Sequence, residues 1–219
     1  MFKDKGIQNC YFMEIYLGIF SALFSVVNPL GAVPIFVSLT EGSSFKELRV
    51  QSLKIGLFII IILLLFFFSG NLILQFFGIQ LEHVRIAGGL LISISAMNLV
   101  GKDAYKGKFI AKEVKEESMV RDDITFAPMT MPMLAGPGAI ALMISKNSDA
   151  QIQSIFGSLT MIIAVVSVAL ITAIILMFSN RLNRFLGKAG MSALSRMMGF
   201  IVLSIGISMI FSGLTPLLK

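Results

Sequence analysis

Charged residues divide this 219-residue chain into uncharged stretches at Ile15–Thr40, Ile55–Leu81, Ile86–Gly101, Ile124–Ser145, Gln151–Asn180 and Met197–Leu218. A helix crosses a hydrocarbon layer of roughly 30 Å with about 20 apolar residues, at about 1.5 Å per residue. Five of the stretches reach that length. The third is shorter, but Arg85 and Lys102 bound it sharply, and it counts as a full crossing. The runs are continuous and do not alternate, which excludes a membrane barrel. The pattern predicts an all-α membrane protein with six transmembrane helices.

Composition agrees. Hydrophobic residues make up 56% of the chain and charged residues 14%, against about 25% charged in soluble domains. So little polar surface does not cover a globule in water. Cys10 is the single cysteine, so neither an intramolecular disulfide nor a Cys-built metal site is expected, and no cofactor is implied. The first apolar stretch is too long for a signal peptide and lacks a small-x-small cleavage site, so it reads as a retained helix.

The net charge of +6 points to topology, not to nucleic acid, because the basic residues lie between hydrophobic helices. Loops 1–2, 3–4 and 5–6 carry thirteen Lys and Arg, and the other side carries five: Lys3, Lys5, Arg85, Lys146 and Lys219. The positive-inside rule then places the odd-numbered loops in the cytoplasm and both termini on the external side of the inner membrane. Residues 102–123 mix both signs and read as a solvated linker. The expected organisation is one transmembrane domain, 1–219, with repeat 1 at 15–101 and repeat 2 at 124–218.

The halves resemble each other. Arg85, Gly88, Ser93 and Ile94 recur as Arg196, Gly199, Ser204 and Ile205, all 111 positions on, and Phe68-Ser69 recurs as Phe178-Ser179, 110 positions on. Pro29 and Pro34 pair with Pro132 and Pro137 at an offset of 103, with the difference assigned to a polar insertion around 146–151. Three helices per half make the second half enter from the opposite face. The expected architecture is therefore two inverted three-helix repeats, a recurring plan of secondary transporters. Arg85 and Arg196, with Gly88 and Gly199, are read as structural positions at opposite faces, where each arginine snorkels or caps a neighbouring helix end.

Helices one and four carry breaks. The first holds Asn28, Pro29, Gly31 and Pro34; the second holds Thr130, Pro132, Gly136, Pro137 and Gly138. Proline lacks an amide donor and disfavours helical geometry in the residue before it. Freed backbone groups in hydrocarbon cost several kcal/mol each, so these segments must be buried in protein or line a wet cavity. A helix restarting after each break points its amides and positive dipole end towards mid-membrane. Pro34 and Pro137 are expected at the first turn of the restarts. Asn28 and Thr130 are expected to bond a solute or the loosened backbone. Proline and glycine are also common in membrane helices without any function; it is the pairing of the breaks that favours a site.

No Asp, Glu, Lys, Arg or His lies deep in a predicted helix, and the lone His83 falls at a helix end. No catalytic set is present, so the chain is not expected to be an enzyme. The methionines read as flexible packing.

Asn28-Pro-Leu-Gly-Ala-Val-Pro-Ile-Phe36, the string Pro128-Met-Thr-Met-Pro-Met-Leu-Ala-Gly-Pro-Gly-Ala-Ile140 and Val84-Arg-Ile-Ala-Gly-Gly89 together resemble the MarC family of integral membrane proteins. The resemblance runs from about Ile15 to Leu214. It implies six helices, a place in the LysE exporter superfamily and, by likeness to some members, transport of small neutral amino acids such as glycine and alanine. It also implies a translocation centre at Asn28, Pro29, Gly31, Pro34, Pro132, Gly136, Pro137 and Gly138. The expected partners are lipid, a small solute with or without a coupling ion, and, as an option, a second copy of the chain. The alternative is a non-transporting, stress-associated accessory protein of the membrane.

Overall fold

The structure is a computed structural model and describes residues 2–101, 125–147, 149, 152 and 154–218. The linker expected at 102–123 lies outside them. The described residues form helices and no strand: α1 (Phe2–Val27), α2 (Pro29–Leu39), α3 (Phe45–Phe77), α4 (Leu81–Val100), α5 (Thr125–Leu134), α6 (Pro137–Asn147), α7 (Ile155–Met177) and α8 (Ser179–Leu217). The α5 segment is wound as a π-helix.

Five helices among the described residues are long and apolar enough to cross a membrane. They comprise α1 and α2 taken together, then α3, α4, α7 and the part of α8 from Ala189 onward. The remaining apolar stretch is divided between α5 and α6, neither of them long enough alone. Outward faces are apolar: Leu57, Ile61, Leu65, Phe68 and Leu72 form an exposed stripe along α3. Leu72 is 72% exposed, which would be costly in water and is ordinary against acyl chains.

Local signals explain the helix ends. Ser44 caps α3 in a capping box: its hydroxyl accepts from the Glu47 amide at 3.3 Å, and Glu47 Oε2 accepts from the Ser44 amide at 2.7 Å. Ser154, 110 positions later, caps α7 by accepting from the Gly157 amide at 3.0 Å. Three glycines among the described residues take a positive φ that side chains disfavour, the first of them Gly42 (φ 87) in the turn before α3. Gly78 (φ 65) ends α3, and Gly187 (φ 61) interrupts α8 before its apolar part.

Lipid tails are as apolar as leucine, so helix association in a membrane relies on close packing. The α4–α8 pair shows this most clearly. A Cβ placed on Gly213 would lie 2.7 Å from the Glu82 carbonyl oxygen, and one on Gly89 would lie 2.5 Å from that of Gly206. One on Gly199 would lie 3.2 Å from the Ala96 carbonyl oxygen. Each advance along α4 matches a retreat along α8, so the two helices run antiparallel. Gly88 sits in the same seam, against Ala141 and Met209.

Candidate functional site

The first break is confined to one residue. The Asn28 amide still bonds the Phe24 carbonyl at 3.0 Å, closing α1, and its carbonyl accepts from Ala32 at 3.3 Å, opening α2. Between those bonds Asn28 adopts φ 48, ψ 60, a conformation that asparagine tolerates better than most residues. Its Oδ1 accepts from the Gly31 amide at 3.2 Å, so the side chain caps the helix it begins. Pro29 is buried at the first helical position, where its missing donor costs nothing.

This corrects the assignment of Pro34. It stands inside α2 on an exposed face and does not begin the restart. The break falls five residues earlier because Asn28 can enter the left-handed region and cap itself, while proline within a membrane span is tolerated.

The second break is longer. Across α5 the bonds widen to i→i−5, as from the Ala135 amide to the Thr130 carbonyl at 2.8 Å. Pro132 offers no amide to the carbonyl four residues back, which removes one bond of an α-helical ladder. The Thr130 hydroxyl, wholly buried, donates to the Thr125 carbonyl at 2.6 Å. Ala135 and Gly136 leave the helix, and α6 begins at Pro137 as expected, with its first bond from the Ile140 amide to the Gly136 carbonyl at 3.1 Å. The cap position is therefore Gly136, which has no side chain to occupy the first-turn amides of Gly138 and Ala139.

The two restarts match. Pro29–Leu39 and Pro137–Asn147 each span 11 residues with proline first. The equivalent prolines are thus Pro29 and Pro137, 108 positions apart, and the offset of 103 that pairs Pro34 with Pro137 is corrected. The loop after α6 exceeds its counterpart by only two residues, judged from the caps Ser44 and Ser154.

Contacts bring the interrupted spans together: α1 touches both α5 and α6, and α5 touches both α1 and α2. Ala32, Val33, Met129, Leu134, Ala135 and Ala139 are buried there. Gly138 is partly buried, and a Cβ on it would lie 2.6 Å from Ile92 Cγ1 on α4.

Sequence reasoning missed a polar cluster at one end of the fold. Arg85 Nε donates to Ser145 Oγ at 2.9 Å, and Arg85 Nη2 meets Asp149 Oδ1 at 3.0 Å. Lys146 Nζ lies 2.8 Å from Asp149 Oδ2. A cavity of about 230 Å³ opens beside it, lined by Glu14, Gly18, Lys146 and Asp149 among others. Arg85 was expected to snorkel or to cap a neighbouring helix end; its guanidinium instead bonds the side chains of Ser145 and Asp149. Only the charges of 146–149 signalled this, and they were read as an insertion. Arg196 is exposed.

The profile of the MarC family integral membrane proteins matches residues 13–218. A UPF0056 membrane protein of Methanocaldococcus jannaschii is 34% identical over 203 residues, covering 92% of this chain and 97% of its own. One from Aquifex aeolicus is 31% identical over 208 residues, covering 95% and 96%. The UPF0056 inner membrane protein MarC of Escherichia coli is 31% identical over 217 residues, covering 95% and 97%. No solved structure matches.

Proposed function

The chain belongs to the MarC family of integral membrane proteins, and from that premise we propose that it is a secondary transporter, or exporter, of a small neutral zwitterion such as glycine or alanine. The observation that carries this reading is the pair of matched 11-residue restarts, each with proline first, on spans that touch each other. The first-turn amides of Gly138 and Ala139 have no carbonyl in their own helix and, among the described residues, no capping side chain, the arrangement that holds a carboxylate at a helix N-terminus. Asn28 offers a carboxamide from the facing span.

In this reading α5 and α6 together form a sixth crossing, and the halves are inverted repeats. Two features support it. The equivalent helices α4 and α8 run antiparallel. Helix contacts also survive exchange of the halves: α3 with α6 answers α7 with α2, α4 with α6 answers α8 with α2, and α1 with α7 answers α5 with α3. A two-fold axis in the membrane plane produces such a pattern, and rocking one repeat against the other then alternates access. In the same reading both termini lie outside, as the positive-inside rule expects from the loop charges.

Flux of radiolabelled glycine and alanine into proteoliposomes tests the proposal. Uptake above that of empty vesicles is expected, and its loss in Gly138→Leu. Gly138→Leu paired with Ile92→Ala, which makes room for the new side chain, separates a blocked path from a misfolded one. Wild-type flux equal to that of empty vesicles overturns the reading.

A second reading has one observation in its favour. The Asn28 and Thr130 side chains both bond within their own segments, as they would in a dry, close-packed accessory protein. Aqueous thiol labelling of Ala32→Cys and Ala139→Cys separates the two.

A further inference from the structure

The repeats differ at their two faces, and the difference is specific. At one face Arg85, in the second turn of α4, is held by Ser145 in the last turn of α6 and by Asp149 just beyond it. Asp149 also takes Lys146, so its two oxygens serve two cations. The Arg85 side chain is 18% exposed and that of Asp149 31%. The cluster ties α4 to the end of α6.

Exchange of the repeats carries each of these residues to the other face. Arg85 becomes Arg196, 111 positions on. Asp149 is the second residue after the end of α6, and the second residue after the end of α2 is Glu41. The charge types are therefore repeated, one arginine and one acid at corresponding positions, and α2 packs on α8 as α6 packs on α4. Yet Arg196 and Glu41 are both exposed, and no ion pair joins either to another described residue.

We propose that Arg85–Asp149 and Arg196–Glu41 are alternating gates on opposite faces, the first shut and the second open in this structure. The inference rests on the transporter reading for its purpose and on the repeat for its geometry. Rocking that separates α4 from α6 draws α8 towards α2, because inverted repeats exchange conformations when access switches. One face then loses its ion pair as the other gains one. The gates are not equal. Ser145 corresponds to Val37 and Lys146 to Ser38 at the same places in α2, so the Arg196 gate lacks both the serine and the second cation. The Arg85-shut state is accordingly the more populated one.

Cross-linking in the full chain, reconstituted with Cys10→Ser, tests this without reference to any solute. Cysteine pairs replace Arg85 and Asp149, or Glu41 and Arg196, and a short bifunctional thiol reagent reports each closure. Both pairs are expected to cross-link. In a four-cysteine variant mass spectrometry is expected to find either link but never both in one molecule. Arg85→Ala in the 41/196 pair is expected to raise that link's rate by up to about fivefold, the effect of losing one partly exposed ion pair; Arg85→Lys, which keeps the charge, raises it less. Absence of the 41/196 link while the 85/149 link goes to completion overturns the proposal, and so do both links in one molecule. Mutually exclusive links without glycine or alanine flux leave the gates standing and remove the solute; flux without exclusivity does the reverse.

Discussion

The carboxamide of Asn28 lies over the α-carbon of Gly31, so that a Cβ there would fall 2.9 Å from Asn28 Cγ while the amide below donates to Asn28 Oδ1 at 3.2 Å. One residue turns the chain and caps the new helix, and a second stays small to admit it. Asn28→Gly keeps the positive φ and is expected to cost a few tenths of a kcal/mol. Asn28→Ala loses both cap and conformation and is expected to cost about 2 kcal/mol. Gly31→Ala displaces the cap and falls between them. Thermal unfolding in detergent ranks the three.

The three prolines of the restarts are expected to respond differently. Pro29 and Pro137 stand at first helical positions, so alanine there changes stability by no more than about 0.5 kcal/mol. Pro34 lies inside α2. Pro34→Ala restores a bond to the Leu30 carbonyl and is expected to raise stability by about 1 kcal/mol or more. Equal responses at 29 and 34 would contradict the position of the break.

The α4–α8 seam predicts a contrast among glycines. Gly206→Val drives a side chain into the Gly89 carbonyl, 2.8 Å from the position of a Cβ, and is expected to cost about 1–3 kcal/mol. Gly18 has nothing within 4 Å of such a position, and Gly18→Ala is expected to be neutral or slightly stabilising. The same melting assay reads both.

Long apolar runs made most of the helices legible in the sequence, because hydrocarbon thickness fixes a length that charges then bound. Pro137 and its glycines marked the second restart correctly. The first was displaced because proline is compatible with both a helix start and a membrane-helix interior. The deciding property, the left-handed conformation of Asn28 stabilised by its own cap, depends on Gly31 and not on the proline spacing. The π winding of Thr125–Leu134 had no sequence signal beyond missing amides at Pro128 and Pro132. The Arg85 cluster joins residues 60 and 64 positions apart, a pairing that hydropathy does not carry.

The central claim is that the restart amides meet a solute at mid-depth, and solute protection of a thiol placed there tests it most directly. Ala139→Cys, in the first turn of α6, is expected to react with a water-soluble thiol reagent in reconstituted protein lacking Cys10. Saturating glycine is expected to slow that reaction, while a cation of similar size without a carboxylate leaves it unchanged. A cysteine that never reacts in folded, flux-competent protein, or one that reacts at the same rate with and without glycine and alanine, would contradict the claim.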